Sequence, residues 1–176
     1  MRFAGQGFHG DTMRLLCVDP GPVKSAWVIL DEDKYPVQHG LEENEAVLAQ
    51  IALHALGCDA FVIEMIEGRG MPVGASVFET CTVIGHIERV WIAASFRKPN
   101  HRIYRRDVKL RLCGSSRAKD GNVRQAILDR YPATGGGKVP QVGVKSKPGP
   151  LFGIAKDTWA ALAVGLAWIE MQGEKR

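Results

Sequence analysis

Cysteine is sparse and scattered: Cys17, Cys58, Cys81 and Cys113 stand far apart, with no CxxC pair among them. Four cysteines in an ordinary globular composition exclude a disulfide-stapled scaffold, and the spacing speaks against a zinc finger and a thioredoxin-like redox site, which need close pairs. The five histidines form no HxxxH or HExxH cluster. No apolar run approaches the ~18 residues of a membrane span. The first thirteen residues are polar and Gly-rich, without the apolar stretch of a secretory signal. A reducing cytoplasmic compartment is therefore the expectation, with buried free thiols. There is no internal repeat. What remains is an ordinary globular mixture, 45% hydrophobic and 24% charged over 176 residues. It is enough for one domain with a real core and too short for two.

Charge is unevenly spread. From Arg97 to Arg130 eleven Lys and Arg face three Asp, a local +8, so the rest of the chain is about −4 within an overall +4. A basic segment on a mildly acidic body is the electrostatic footprint of nucleic-acid binding, although a solvated helical surface gives the same count.

The order of elements points to an α/β fold. Leu15 to Val18 and Ala26 to Leu30 read as strands, separated by the Asp19-Pro20-Gly21-Pro22 turn that no helix could cross. A third strand near Tyr35 to Gly40 completes an antiparallel meander. Glu42 to Leu56 has helical spacing and ends at Gly57 as a cap. Ala60 to Ile63 is a continuous apolar run, as in a strand buried on both faces. A Gly-rich loop spans Glu67 to Gly74, and Ala75 to Phe96 is a long helix. Arg102 to Tyr104 is a short strand, with basic helices near Arg106 to Leu112 and Ala118 to Tyr131. Residues 132–153 hold six Gly and four Pro without periodicity, a long loop rich in Gly, Pro and Lys (Lys138, Lys145, Lys147) that reads as an insertion. An apolar helix from Ile154 to Met171 closes the chain, with Gly173 beyond it as a stop. The expected layout is a tail over 1–13 and one domain over 14–172. Its ββ(β)αβα order is the opening of the ribonuclease H-like architecture: a mixed five-stranded sheet, antiparallel meander plus parallel strands, flanked by helices.

Three acids occupy conspicuous places. Asp19 ends the first strand, Glu64 ends the buried strand, and Asp157 lies in the first turn of the last helix. Charges at the ends of buried strands are costly unless paired or ligating a cation. Adjacent first and fourth strands would bring two carboxylates to one sheet edge, and the last helix would add the third. Three converging carboxylates repel and suit a hard divalent metal. Two Mg²⁺ or Mn²⁺ ions about 4 Å apart would activate water and stabilise a leaving 3′-oxygen. Ordinary roles stay open for each acid: Asp19 capping the turn, Glu64 in a salt bridge, Asp157 favoured by the helix dipole.

These residues carry a family resemblance. LCVDPG at 16–21 with Ala26-Trp27-Val28, FVIE at 61–64, YRRDVKLRLCGSSRAKDGNV at 104–123 and KDTWAALAVGL at 156–166 resemble the RuvC Holliday-junction resolvases. The resemblance covers roughly 14–170. GMPVGASVFET at 70–80 and the last helix are similar in wording to phage-encoded relatives. It implies a metal-dependent endonuclease acting on branched DNA as a homodimer, with Asp19, Glu64 and Asp157 as metal ligands, Lys109 near the scissile phosphate, and no organic cofactor. Arg105, Arg106, Lys109, Arg111, Arg117, Lys119 and Arg124 would track phosphates. The sequence departs from the family at three places. Ala160 stands where a second helix acid is usual, Asp120 (beside Lys119) where a second basic residue is usual, and Glu67 where an aromatic wedge is usual, with Phe78 as a substitute. A ribonuclease H-like enzyme acting on RNA or flapped DNA, and a non-catalytic junction-binding protein, are the rival readings. An actin-like phosphotransferase would need a second domain.

Overall fold

The structure is a computed structural model that describes residues 13–68, 70 and 74–173. Most of the expected tail and part of the Gly-rich loop therefore lie outside the described residues. Met13 packs against the core.

A five-stranded sheet divides the molecule. Strands β1 (Leu15–Asp19), β2 (Lys24–Leu30), β3 (Pro36–Glu43), β4 (Ala60–Met65) and β5 (Asn100–Tyr104) lie in the order β3-β2-β1-β4-β5. The β1–β2 and β2–β3 pairs are antiparallel, and β1–β4 and β4–β5 are parallel. The expected mixed α/β sheet is therefore present, with β1 at its centre.

Helices cover both faces, which is why β1 and β4 read as unbroken apolar runs. Side chains alternate along a strand. Leu16, Val18, Phe61 and Ile63 meet α1 (Asn44–His54) and α2 (Ala75–Ala94) through Val47, Ile51, Ile84, Ile87 and Trp91. Leu15, Cys17, Ala60 and Val62 face the other way, toward α3 (Arg105–Cys113), α4 (Asp120–Leu128) and α5 (Thr158–Gly173). On the first face Phe61 and Trp91 stack with ring centroids 5.3 Å apart. Lys98 closes that layer: its Nζ donates to the carbonyls of Leu56 at 2.8 Å and Cys58 at 2.7 Å.

Several boundaries differ from the sequence expectation for local reasons. Strand β2 begins two residues early at Lys24, and β3 runs on to Glu43 because pairing with β2 extends it. Helix α1 gives way at Ala55 to a 3-10 turn over Ala55–Gly57, so Gly57 is not a helix cap. Helix α4 is shorter than its periodicity, starting where the Asn122 side chain accepts the Lys119 backbone N–H at 3.0 Å. The last helix starts at Thr158 rather than Ile154. Thr158 Oγ1 accepts the Ala155 N–H at 2.8 Å, which holds 155–157 in a turn, and the helix extends through Gly173.

The segment 132–153 is not structureless. It folds into a hairpin of β6 (Gly143–Val144) and β7 (Lys147–Pro148). Its backbone is knit by Gly136 N–H to Lys147 O at 2.9 Å and Gly149 N–H to Val142 O at 3.0 Å. Gly143, at φ +76°, lies so close to Gly149 and Lys147 that no side chain fits. The glycines that suggest flexibility serve close backbone approach instead. Leu151 and Ile154 are buried and anchor the segment to the core.

Helix α5 packs tightly on the sheet at Gly165. A Cβ at Gly165 would fall 2.8 Å from Leu30 Cδ1 and nearer still to the Cys17 sulfur. Gly165→Ala would overpack this seam and is expected to destabilise the fold by about 1–3 kcal/mol. Urea denaturation with an unchanged midpoint would show that α5 can lift off the sheet freely.

Candidate active site

Asp19 is placed by a rigid turn. Strand β1 ends there, and the Pro20-to-Val23 connection is fastened from outside. Ser25 Oγ accepts the Gly21 N–H at 3.2 Å and donates to Asn44 Oδ1 at 2.7 Å, while Asn44 Nδ2 donates to the carbonyls of Gly21 and Pro22, each at 3.1 Å. Neither Ser25 nor Asn44 stood out in the sequence, since isolated polar residues beside a turn carry no spacing signal.

Glu64 follows from strand register. The last parallel pair of β1 and β4 is Val18 with Ile63, so Asp19 and Glu64 come next on neighbouring strands. By alternation both lie on the side of α3, α4 and α5. Asp157 immediately precedes α5, in the turn rather than in the helix, and its carbonyl accepts the Ala160 and Ala161 N–H groups. Lys156 beside it has φ +48°.

The electrostatics of this edge are those of crowded acids. Burial, then the Glu64 charge, pushes the Asp19 carboxyl up to about 7, with Asp157 and Asp120 adding to the push and Arg105 opposing it. Burial raises Glu64 as well, against the lowering influence of Arg105. Arg105 is the counter-ion: its Nη1 lies 3.4 Å from Glu64 Oε2 and its Nη2 2.6 Å from Asp120 Oδ1. Lys109 Nζ lies 3.4 Å from the same Asp120 oxygen. The hydrogen bond from Arg105 holds Asp120 below the usual carboxylate range.

The three expected ligands come from three elements: Asp19 ends β1, Glu64 is the penultimate residue of β4, and Asp157 precedes α5. Among the described residues, no three His, Cys, Asp or Glu side chains come together closely enough to hold a metal ion. Asp157 is exposed at the rim, whereas Asp19 and Glu64 are half-buried. Arg105 takes up one Glu64 oxygen. The donor chemistry nevertheless fits a hard divalent cation. All the groups are carboxylates, and their mutual repulsion, felt at Asp19, is what such a cation relieves.

The basic residues divide into two sets. Arg105 and Lys109 point into the acidic cluster, and Arg106 pairs with Glu67 at 2.9 Å and Asp107 at 3.2 Å. Arg111 is drawn away to Glu170, at 3.4 Å, where Arg130 also binds. Arg102 forms a two-pronged pair with Glu88. Much of the local positive charge is therefore used inside the fold. Arg117, Lys119 and Arg124 are exposed, and Arg124 lies over the Trp159 ring at 4.9 Å. A cavity of about 300 Å³ opens here between Arg105, Asp120, Arg124, Asp157 and Trp159. A larger hollow of about 660 Å³, at Arg89, Ile92 and Phe96, is lined by Glu88 and by none of Asp19, Glu64, Asp120 or Asp157. No helix among the described residues is long and apolar enough to cross a membrane.

This sheet order, with helices on both faces and acids at the carboxyl ends of its two central strands, defines a RuvC-like, ribonuclease H-like fold. RuvC from Thermus thermophilus superposes with a TM-score of 0.62 at 13% identity, covering 93% of this chain and 97% of that one. T. thermophilus RuvC in complex with a Holliday junction substrate gives 0.60 at 15% identity, covering 91% and 96%. The yeast mitochondrial Holliday junction resolvase Ydc2 gives 0.56 at 9% identity, covering 92% and 80%. No family model matches the sequence. No curated protein matches it either.

The raised Asp19 carboxyl has a stability consequence. An acid shifted from 3.8 to about 7 binds its proton more tightly folded than unfolded. The metal-free protein should therefore lose stability as pH rises from about 4 to about 7, with no further loss from this group above that. Asp19→Asn should flatten the decline in urea titrations with EDTA present. An identical slope in both proteins would contradict burial of this carboxylate beside Glu64.

Proposed function

We propose that this chain is a divalent-cation-dependent endonuclease that resolves four-way DNA junctions. The observation that carries the reading is the pair Asp19 and Glu64 at the ends of adjacent parallel strands, with Asp157 at the start of the helix laid across them. The RuvC-like fold supports it, and so does the likeness to RuvC in complex with a Holliday junction substrate and to the Ydc2 Holliday junction resolvase.

Asp19, Glu64 and Asp157 would hold Mg²⁺ or Mn²⁺, two ions in the full reading. When bound, these supply Lewis-acid activation of water and charge neutralisation at the leaving 3′-oxygen. The chain's own side chains do the rest. Half-burial of Asp19 and Glu64 keeps bulk water from screening them. Lys109, one helical turn from Arg105 on α3, steadies charge on the phosphate undergoing attack. Arg117, Lys119 and Arg124 offer sequence-independent phosphate contacts on the same side. Arg106 would join them only by leaving Glu67.

Asp19→Asn or Glu64→Gln should lower cleavage by roughly 100- to 1000-fold or more while junction binding persists. Mg²⁺ should raise the melting temperature of the unaltered protein and not that of Asp19→Asn. A panel of four-way junction, flap, duplex, single-stranded and RNA/DNA hybrid substrates would separate a resolvase from a related nuclease. Near-normal turnover by either variant would sink the assignment of these acids.

A resolvase must cut two strands of a nearly two-fold symmetric substrate, and a C₂ dimer supplies two sites related by the same operator. We assign the dimer face to α2. Its Ile84, Ile87 and Trp91 are buried in the monomer, but Phe78 and Ile92 on the helix and Phe96 just past its end stay exposed, Phe96 at 84%. Light scattering should give about 39 kDa, twice the 19.3 kDa chain. Paired nicks should appear on a junction held in a cruciform plasmid. A monomer making uncoupled nicks with junction present would leave a nuclease and remove the resolvase.

A further inference from the structure

One carboxylate in the cluster does not belong with the others. Asp120, the first residue of α4, is 78% exposed, yet its Oδ1 receives both Arg105 Nη2 at 2.6 Å and Lys109 Nζ at 3.4 Å. The two cations themselves are drawn in, at 25% and 19% exposure. They stand four residues apart on α3, so they form one cationic notch. A single anionic oxygen shared by a guanidinium and an ammonium is also how these side chains receive a phosphate oxygen.

We propose that the Asp120 carboxylate is an internal stand-in for a DNA phosphate, holding Arg105 and Lys109 in the notch until a phosphodiester displaces it. The inference rests on the nuclease reading above and adds a regulatory contact to that site. Three features favour displacement over a permanent structural pair. Asp120 is on the solvent side of the notch, so it can leave without opening the core. It is not needed to start α4, because Asn122 caps that end. Arg105 keeps its second partner, Glu64, whether Asp120 is present or absent. The consequence is that every phosphate entering the notch must compete with a tethered anion. Weak, shape-indifferent duplex binding is suppressed most, and a substrate pressed against the site by many other contacts is suppressed least.

The test is fluorescence anisotropy with a labelled four-way junction and a labelled linear duplex, in EDTA so that nothing is cut. Asp120→Asn should bind both about 3- to 20-fold more tightly, since two exposed ion pairs no longer oppose the phosphate. Its log K against log[salt] slope should steepen by about 0.9 per cation released to DNA. Loss of any negative charge helps DNA binding, so Asp129→Asn at the C-terminal cap of the same helix serves as the control and should have a smaller effect. In an Arg105→Ala, Lys109→Ala background, Asp120→Asn should do no more than Asp129→Asn does. Asp120→Ser, checked by circular dichroism, replaces Asp120→Asn should the latter misfold. Unchanged or weaker binding by a folded Asp120 variant would overturn the stand-in and leave the nuclease reading untouched. An effect that survives loss of both cations would also overturn it. Failure of the unaltered protein and the variant alike to bind DNA would remove the nuclease reading and this inference together.

Discussion

The arrangement of this protein turns on the cost of placing two carboxylates side by side at the end of a desolvated parallel pair. Asp19 and Glu64 are held there by strand register, and neither can retreat without breaking the β1–β4 ladder. Water solvates them poorly, so the charge must be met by something else. In this structure the guanidinium of Arg105 meets part of it, and burial beside Glu64 pushes the Asp19 carboxyl up to about 7.

Everything around that pair serves to fix it. The Ser25–Asn44 bonds immobilise the turn after Asp19 and tie it to the start of α1. On the opposite layer the Phe61–Trp91 stack fixes the strand that carries Glu64. Gly165 lets α5, which Asp157 immediately precedes, settle against Cys17 and Leu30. The three acids thus come from three elements whose positions are set by apolar packing, not by one another.

Much of this was legible in the sequence because it follows from periodicity. The unbroken runs Leu15 to Val18 and Ala60 to Ile63 announce strands covered on both faces, and an acid ending each run marks the edge. The mixed five-stranded sheet follows from that order. What could not be read were features set by tertiary geometry. Gly57 looks like a helix cap, yet Lys98, some forty residues on, reorganises that end by binding its carbonyls. Glycines in 132–153 look like slack, whereas backbone contacts at Gly143 use them as spacers. In the sequence Asp120 stands out only as an acid where a second basic residue is usual. Only the fold of α4 against α3 reveals that it faces Arg105 and Lys109.

The hairpin over 132–153 shapes how this scaffold tolerates change. Its cross-strand bonds are internal, and the chain is clamped at Leu151 and Ile154 before it reaches Asp157. Those two buried residues act as a mechanical break, so lengthening or trimming the hairpin tip perturbs the tip alone. The geometry of the acids is thereby insulated from variation in the surface beside them. Such a module lets the outer contour drift, and with it the shapes of molecule that can dock, while the reactive edge stays as it is.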